Sequence, residues 1–144
     1  MPTQPEIHSA QASDTGRVRT DNEDSVGVFD PVSRDGSHDN LYLVCDGMGG
    51  HQAGEIASKI VVHEVAQAYA SHLAEHSPTA ALRLGLQQAH EVLCERASED
   101  ADLQTMGTTV VAAALHQDAL YIANIGDSRA YLLRAGKLEQ ITTD

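Results

Sequence analysis

The sequence predicts an α+β layered domain, and three observations carry that prediction. Short β-branched or alternating runs lie toward both ends of the chain, two long stretches of helical period lie together between them, and acidic, glycine-containing turns close several of the runs. The order is therefore sheet, helix pair, then sheet meander. The 144 residues suffice for one domain with a substantial core and are too few for two ordinary ones. No linker, internal repeat or low-complexity segment divides them, so residues 1–144 read as a single domain.

In order, Ile7 to Ser13 alternates loosely and is expected as a first strand, closed by Asp14-Thr15-Gly16. Ser25 to Phe29 alternates as a second strand. Asp30 to Asn40, with Pro31 and Gly36, reads as a hairpin loop. Leu41 to Cys45 is a short apolar run of the kind buried on both faces of a sheet, and it ends in a glycine-rich loop from Asp46 to Gly54. From Glu55 to about His76, Ile56, Ile60, Val61, Val65, Ala68, Tyr69 and Leu73 recur near a 3.6-residue period. Ser77-Pro78 is an N-cap and first-turn pair for a second helix, with Leu82, Leu86, Ala89, Leu93 and Ala97 as its stripe. Each helix has one apolar face, so the pair should lie antiparallel on a sheet. Thr108 to His116 is β-branched and small, Gln117-Asp118 turns it into Leu120 to Ala123, and Ala135-Gly136 joins Arg129–Arg134 to Lys137–Thr142.

Composition narrows the function. The apolar fraction is 42%, too high for a disordered chain, and 9 basic against 21 acidic residues give a formal charge of −12. That field repels phosphate backbones and argues against nucleic acid as a partner. No apolar run approaches the ~18–20 residues that span a bilayer, and residues 1–6 lack the basic and apolar regions of a signal peptide. Cys45 and Cys94 form no CxxC pair, which fits reduced thiols and a cytoplasmic protein. A thiol phosphatase loop would need arginine six residues after Cys45, where the chain has His51. The histidines outside the loops, including His72 and His76 at helical spacing, read as surface residues.

Four loops hold the residues suited to chemistry. Arg19-Thr20-Asp21-Asn22-Glu23-Asp24, with Arg17 beside it, is either a solvated polar turn or a phosphate-holding arginine next to metal-serving carboxylates. Asp46-Gly47-Met48-Gly49-Gly50-His51 is more specific. Three glycines in the four positions after an acid at a strand end are costly unless the backbone must approach something closely. Its spacing is neither GxGxxG nor GxxxxGK, and the acid disfavours a bare phosphate, so hard oxygen ligands for Mg²⁺ or Mn²⁺ are the better reading. Thr105 to Thr109 alone is only a turn entering a strand, and Gly126-Asp127-Ser128-Arg129 sets another acid in a tight turn.

Taken together and in order, these stretches resemble the PP2C-type, or PPM, metal-dependent protein serine/threonine phosphatases of the bacterial branch. The likeness rests on Ser13 to Arg19 with Asn22-Glu23-Asp24, Val44 to His51, Ala53-Gly54-Glu55, Met106 to Thr109 and Asn124 to Tyr131, nearly the whole chain. The resemblance implies a four-layer αββα sandwich, two antiparallel sheets flanked by helix pairs. It implies two Mn²⁺ or Mg²⁺ ions bridged by Asp46, with the Gly47 carbonyl completing a shell, and a third ion near Asp127. It further implies that Glu23 holds metal-bound water with support from Asp24, that Arg19 binds the substrate phosphate, and that His51 assists with substrate. A hydroxide between the ions would attack phosphorus directly, on phosphoserine and phosphothreonine proteins, in a cell with an opposing serine/threonine kinase.

Two departures from the family pattern stand out. Animal members place a histidine two positions after the bridging aspartate; here it is Met48. The family also uses later aspartates, in an Asp-Gly loop and an Asp-Asn pair, beyond the segment ending at Asp144. The chain therefore reads as the N-terminal portion of such a domain, its sandwich incomplete. The alternative is a truncated, catalytically inactive binding or regulatory module of the same fold.

Overall fold

The computed structural model describes residues 5–31, 37–50 and 52–144. Two strands come first, β1 (Asp24–Phe29) and β2 (Asn40–Met48), then helices α1 (Gln52–Leu73) and α2 (Pro78–Glu99). A 3₁₀ turn (Ala101–Leu103) leads into β3 (Gly107–Thr108), β4 (Val110–His116), β5 (Ala119–Ile125), β6 (Tyr131–Arg134) and β7 (Lys137–Gln140). The expected order of sheet, helix pair and meander is what the chain adopts.

Strands β1, β2, β4 and β5 pair antiparallel in that order, with β3 continuing the β4 side along β2, and β6–β7 form a separate hairpin. Alternation sets the core. Leu41, Leu43 and Cys45 of β2 and Val110, Ala112 and Ala114 of β4 point to one face, where they meet Val61, Val65, Tyr69 and Leu73 of α1. The helices run antiparallel, since Gly85 sits against Val65 and Tyr69 while Gln88 Nε2 donates to Glu64 Oε2 further toward the start of α1. Ser77 caps α2 by accepting a hydrogen bond from Ala80 N at 3.2 Å, as its sequence context predicts.

The other sheet face carries Val26, Val28, Tyr42, Val44 and Val111 in register, and Val28 and Val44 are exposed there. One helix layer and one sheet are thus present, with the β6–β7 hairpin outside that sheet. The hairpin turn holds Ala135 at φ 51° and Gly136 at φ 75°, the left-handed pair that matches strand twist. Among the described residues no helix is long and apolar enough to cross a membrane.

Three expectations need correction. Ile7 to Ser13 is exposed and irregular, because no described strand lies beside it to satisfy its backbone. Strand β2 does not end at Cys45 but runs through Gly47 and Met48, which pair with Thr108 and Gly107. His116 is not a surface residue: its Nδ1 lies 2.7 Å from the fully buried Asp39 carboxylate, which also accepts from Tyr69 Oη at 2.9 Å. The end of β4 is tied there to the helix layer through a buried polar contact. Of the histidines on and just after the helices, His72 is half-buried at the end of α1, while His63, His76 and His90 are exposed as expected. Part of the Asp30–Asn40 hairpin loop lies outside the described residues.

Candidate active site

The site begins with the pairing of β1 and β2. Their register places Asp24 directly opposite Asp46, on the sheet face away from the helices. At Asp46 the ladder to the neighbouring strand changes character. Thr109 N donates to Asp46 O at 2.9 Å, but Asp46 N donates at 3.0 Å to the Thr109 hydroxyl rather than to a carbonyl. Thr109 Oγ1 is itself 2.5 Å from Ser128 Oγ, so the loop holding Asp127 is tethered to the same point. Gly126 makes room for that contact: a Cβ there would lie 2.8 Å from Thr109 Cγ2.

Glycines bring the first turn of α1 against the end of β2. A Cβ on Gly47 would fall 2.0 Å from Gly54 O and 2.6 Å from Glu23 O, and one on Gly54 would fall 2.8 Å from Glu23 Cδ. Only hydrogen side chains allow strand, helix and Glu23 to meet there. Glu23 is then fixed through its backbone, its carbonyl accepting from Gly47 N at 3.1 Å and from the buried Ser58 Oγ at 2.6 Å. Its side chain is 14% exposed, and Arg19 Nη1 lies 3.8 Å from Glu23 Oε2. Asn22 Oδ1 accepts from Asp24 N at 3.0 Å and Asn22 Nδ2 donates to Ser13 Oγ at 2.7 Å, so this loop is organised rather than a loose charge run.

These elements enclose an open cleft of about 700 Å³ lined by Arg19, Asp21, Glu23, Asp46, Gly47, Thr109 and Asp127. Arg19 is the one basic side chain among its described lining residues, against Asp21, Glu23, Asp46 and Asp127. The consequence shows at Asp46, whose carboxyl is held above the ordinary carboxylate range. Partial desolvation in the cleft is the largest cause, followed by the Asp24 charge, a hydrogen bond to Asp24 and the Asp127 charge, with Arg19 opposing. Asp46 keeps contact with solvent, and crowding by like charge adds to the effect of its partial burial.

Of the residues expected from sequence, Arg19, Glu23, Asp46, Gly47 and Asp127 line one cleft and Asp24 touches Asp46 beside it. His51 lies outside the described residues. Thr109 and Ser58 had no assigned part, yet one sets the Asp46 backbone and the other holds Glu23. The signal for Thr109 is a hydroxyl at the head of an otherwise apolar strand; for Ser58, a polar residue on the apolar stripe of α1.

Carboxylate and backbone carbonyl oxygens suit a hard divalent cation, and the crowded negative charge is what such a cation neutralises. In kind the donors fit Mn²⁺ or Mg²⁺. In number they form a partial sphere, since among the described residues no group of three His, Cys, Asp or Glu side chains is placed to hold an ion.

Comparison with known proteins accords with this geometry. The family profile described as Protein phosphatase 2C matches residues 9–144. The chain is 40% identical over 144 residues to the Serine/threonine phosphatase stp of Listeria monocytogenes, an alignment covering 96% of this chain and 54% of that protein. It is 38% identical over 142 residues to the Serine/threonine protein phosphatase PstP of Mycobacterium tuberculosis, covering 96% of this chain and 25% of that one. The solved catalytic domain of PstP in complex with two manganese ions superposes with a TM-score of 0.78 at 37% identity, over 92% of this chain and 54% of that one. Stp1 from Staphylococcus aureus gives a TM-score of 0.75 at 38% identity, over 91% of this chain and 51% of that structure. The chain therefore spans about half the length of the first of these curated relatives and a quarter of the second. With the profile matched across nearly all its residues, the chain belongs to the protein phosphatase 2C family.

Proposed function

We propose that this chain carries the metal- and phosphate-binding side of a metal-dependent protein serine/threonine phosphatase. The observation that carries this reading is the Asp24–Asp46 pair, Asp46 lining the cleft and Asp24 opposite it on the neighbouring strand, with Arg19, the basic side chain among the cleft's described lining residues, matched to a phosphate. Residues 1–144 form the N-terminal part of a single domain of this kind. Phosphoserine and phosphothreonine proteins are the substrates, a serine/threonine kinase of the same cell supplies them, and the protein works in the cytoplasm.

Asp46 and the Gly47 carbonyl would hold Mn²⁺ or Mg²⁺, two ions or three, and Asp127 would serve the third. When bound, such ions lower the pKa of water and offset charge on the phosphoryl oxygens. The chain's own residues do the rest. Arg19 orients the phosphate and, by its reach to Glu23, keeps that carboxylate turned into the cleft. Glu23 orients the attacking water by accepting its proton in a hydrogen bond, and Asp24 supports it. His51 assists with substrate. In the net reaction water oxygen bonds to phosphorus, the ester P–O bond breaks, and the serine or threonine oxygen leaves with a proton.

The test is hydrolysis of p-nitrophenyl phosphate and a phosphothreonine peptide with Mn²⁺, using the protein as its gene encodes it. Turnover that needs Mn²⁺ and drops at least 100-fold in Asp46→Asn is expected, the loss ascribed to a metal ligand. Absence of turnover with retained phosphopeptide binding would replace the enzyme with the inactive binding module.

A further inference from the structure

A second groove, of about 510 Å³, opens on the far side of the Gly49–Gly50 ridge from the cleft. Gly49 and Gly50 line both spaces, so the cleft and the groove meet across a stretch of backbone without side chains. The ridge is held down rather than raised. Gly49 O accepts from Thr105 Oγ1 at 3.3 Å, and a Cβ on Gly49 would lie 2.9 Å from Met106 Cα. Among the described residues, a Cβ on Gly50 would meet nothing within 4 Å apart from its chain neighbours.

The floor of the groove includes Ile56 and Leu103, and its wall carries Arg96, Asp100 and Asp102 from the end of α2 and the turn that follows. Asp100 is engaged locally, its Oδ1 accepting from Asp102 N at 2.9 Å. Asp102 is exposed, and its carboxylate has no ion-pair partner among the described residues. Two carboxylates face one guanidinium here, on a chain whose formal charge is −12. A cationic side chain is favoured in this groove and an anionic one is opposed.

We propose that the groove receives the polypeptide flanking the phosphorylated residue, with a Lys or Arg of that flank seated at Asp100 and Asp102. This inference rests on the phosphatase reading above and deepens it: the preferred sites are phosphoserine or phosphothreonine with a basic neighbour a few residues away. The phosphate lies in the cleft with Arg19, the chain crosses the glycine ridge, and aliphatic stem atoms of the basic side chain cover Ile56 and Leu103. The continuity of the two spaces carries the argument, and the charge decides which flank fits.

The experiment compares kcat/KM for three phosphothreonine peptides that differ only in Arg, Ala or Glu at flanking positions on either side, with p-nitrophenyl phosphate as a reference that has no flank. The expected order is Arg, Ala, Glu, with each carboxylate contributing roughly two- to fivefold as an exposed charge pair does. In Asp102→Asn, and in the Asp100→Asn/Asp102→Asn double variant that keeps the turn's acceptor, the Arg-to-Ala ratio falls toward one. Arg96→Gln widens it. Raising the salt narrows it in the unsubstituted protein. Equal rates on Arg and Ala peptides, or a preference that survives in the double variant, would overturn the groove assignment while phosphatase activity stands. Failure to hydrolyse even p-nitrophenyl phosphate would overturn the phosphatase reading and this one with it.

Discussion

Asp24 and Asp46 stand directly opposite each other across the β1–β2 ladder, close enough for one carboxyl to hydrogen-bond the other. Like charges in that relation destabilise a sheet, and a divalent cation held at Asp46 would offset that repulsion. Asp24→Asn is therefore expected to stabilise the metal-free protein by about 0.5 kcal/mol, a figure kept small because Asp46 faces solvent. Asp46→Asn should do the same and also remove the rise in urea midpoint that Mn²⁺ gives the unsubstituted protein. The pH dependence has a definite sign. The Asp46 carboxyl binds its proton more tightly folded than unfolded, so metal-free stability falls as pH rises from the ordinary carboxylate value through the raised one. Asp46→Asn flattens that decline. An Mn²⁺ response unchanged in Asp46→Asn would remove this residue from the metal site.

The contact of Gly47 with Gly54 sets a second expectation. A Cβ on Gly47 has backbone atoms of Gly54 and Glu23 within 2.0–2.6 Å, and backbone cannot swing aside as a side-chain tip can. Gly47→Ala should cost about 3 kcal/mol in urea denaturation, at the upper end of overpacking penalties. Gly16→Ala makes a useful contrast, since that glycine has φ +81° but nothing within 4 Å of a built Cβ. Its cost is that of a left-handed alanine, about 1 kcal/mol. Equal penalties at the two positions would mean that the strand–helix approach is looser than the geometry shows.

Much of the fold was legible because its signals are local. The 3.6-residue stripe of α1, the Ser77-Pro78 start of α2 and the Ala135-Gly136 turn each depend on residues a few positions apart. The gathering of Arg19, Glu23, Asp46, Gly47 and Asp127 into one cleft was legible only through resemblance, since spacing along the chain left the Arg19 loop open between a polar turn and a phosphate site. What escaped depends on distant partners. Ile7 to Ser13 alternates like a strand, but alternation does not create a neighbour to pair with. Gly47 and Met48 look like loop, yet Gly107 and Thr108 give them a ladder. Asp39, in a polar stretch, gave no hint that it would be fully buried, because its partners come from 30 and 77 residues away.

That buried group carries the third expectation. Asp39 accepts from Tyr69 Oη at 2.9 Å, with His116 Nδ1 at 2.7 Å on its other oxygen. Burial, then the hydrogen bond to Asp39, pushes the Tyr69 hydroxyl well above its ordinary value, so it stays a donor throughout the working range. Tyr69→Phe keeps the ring that fills the core and removes one donor, at a cost of about 1–2 kcal/mol. His116→Ala removes the ring nitrogen 2.7 Å from the buried carboxylate and opens a space beside it, and should cost more, about 3 kcal/mol. Urea denaturation of both variants checks the order. A smaller loss in His116→Ala than in Tyr69→Phe would show that the histidine is not the stronger partner of Asp39.

The two cysteines should separate cleanly in a thiol titration. Cys45 is 0% exposed on the helix-facing side of β2, and burial pushes its thiol up to about 12 against the lowering effect of a hydrogen bond with Thr108. Cys94 is exposed on α2 with Sγ 3.5 Å from His90 Nε2. Access to the reagent separates them, so at pH 8 a disulfide reagent should modify the exposed Cys94 at once and the buried Cys45 at the rate of unfolding. Urea that unfolds the chain should bring Cys45 to the rate of Cys94. The linked stability has the opposite dependence from that of a salt bridge formed by a carboxylate. The unfolded thiol ionises from its ordinary 9.0 while the folded one stays neutral to about 12, so stability falls as pH climbs through that interval. Cys45→Ser removes this alkaline decline but places a hydroxyl in the apolar layer. Cys45→Ala is therefore the cleaner variant, and an alkaline decline that persists in it at full slope would locate the effect elsewhere.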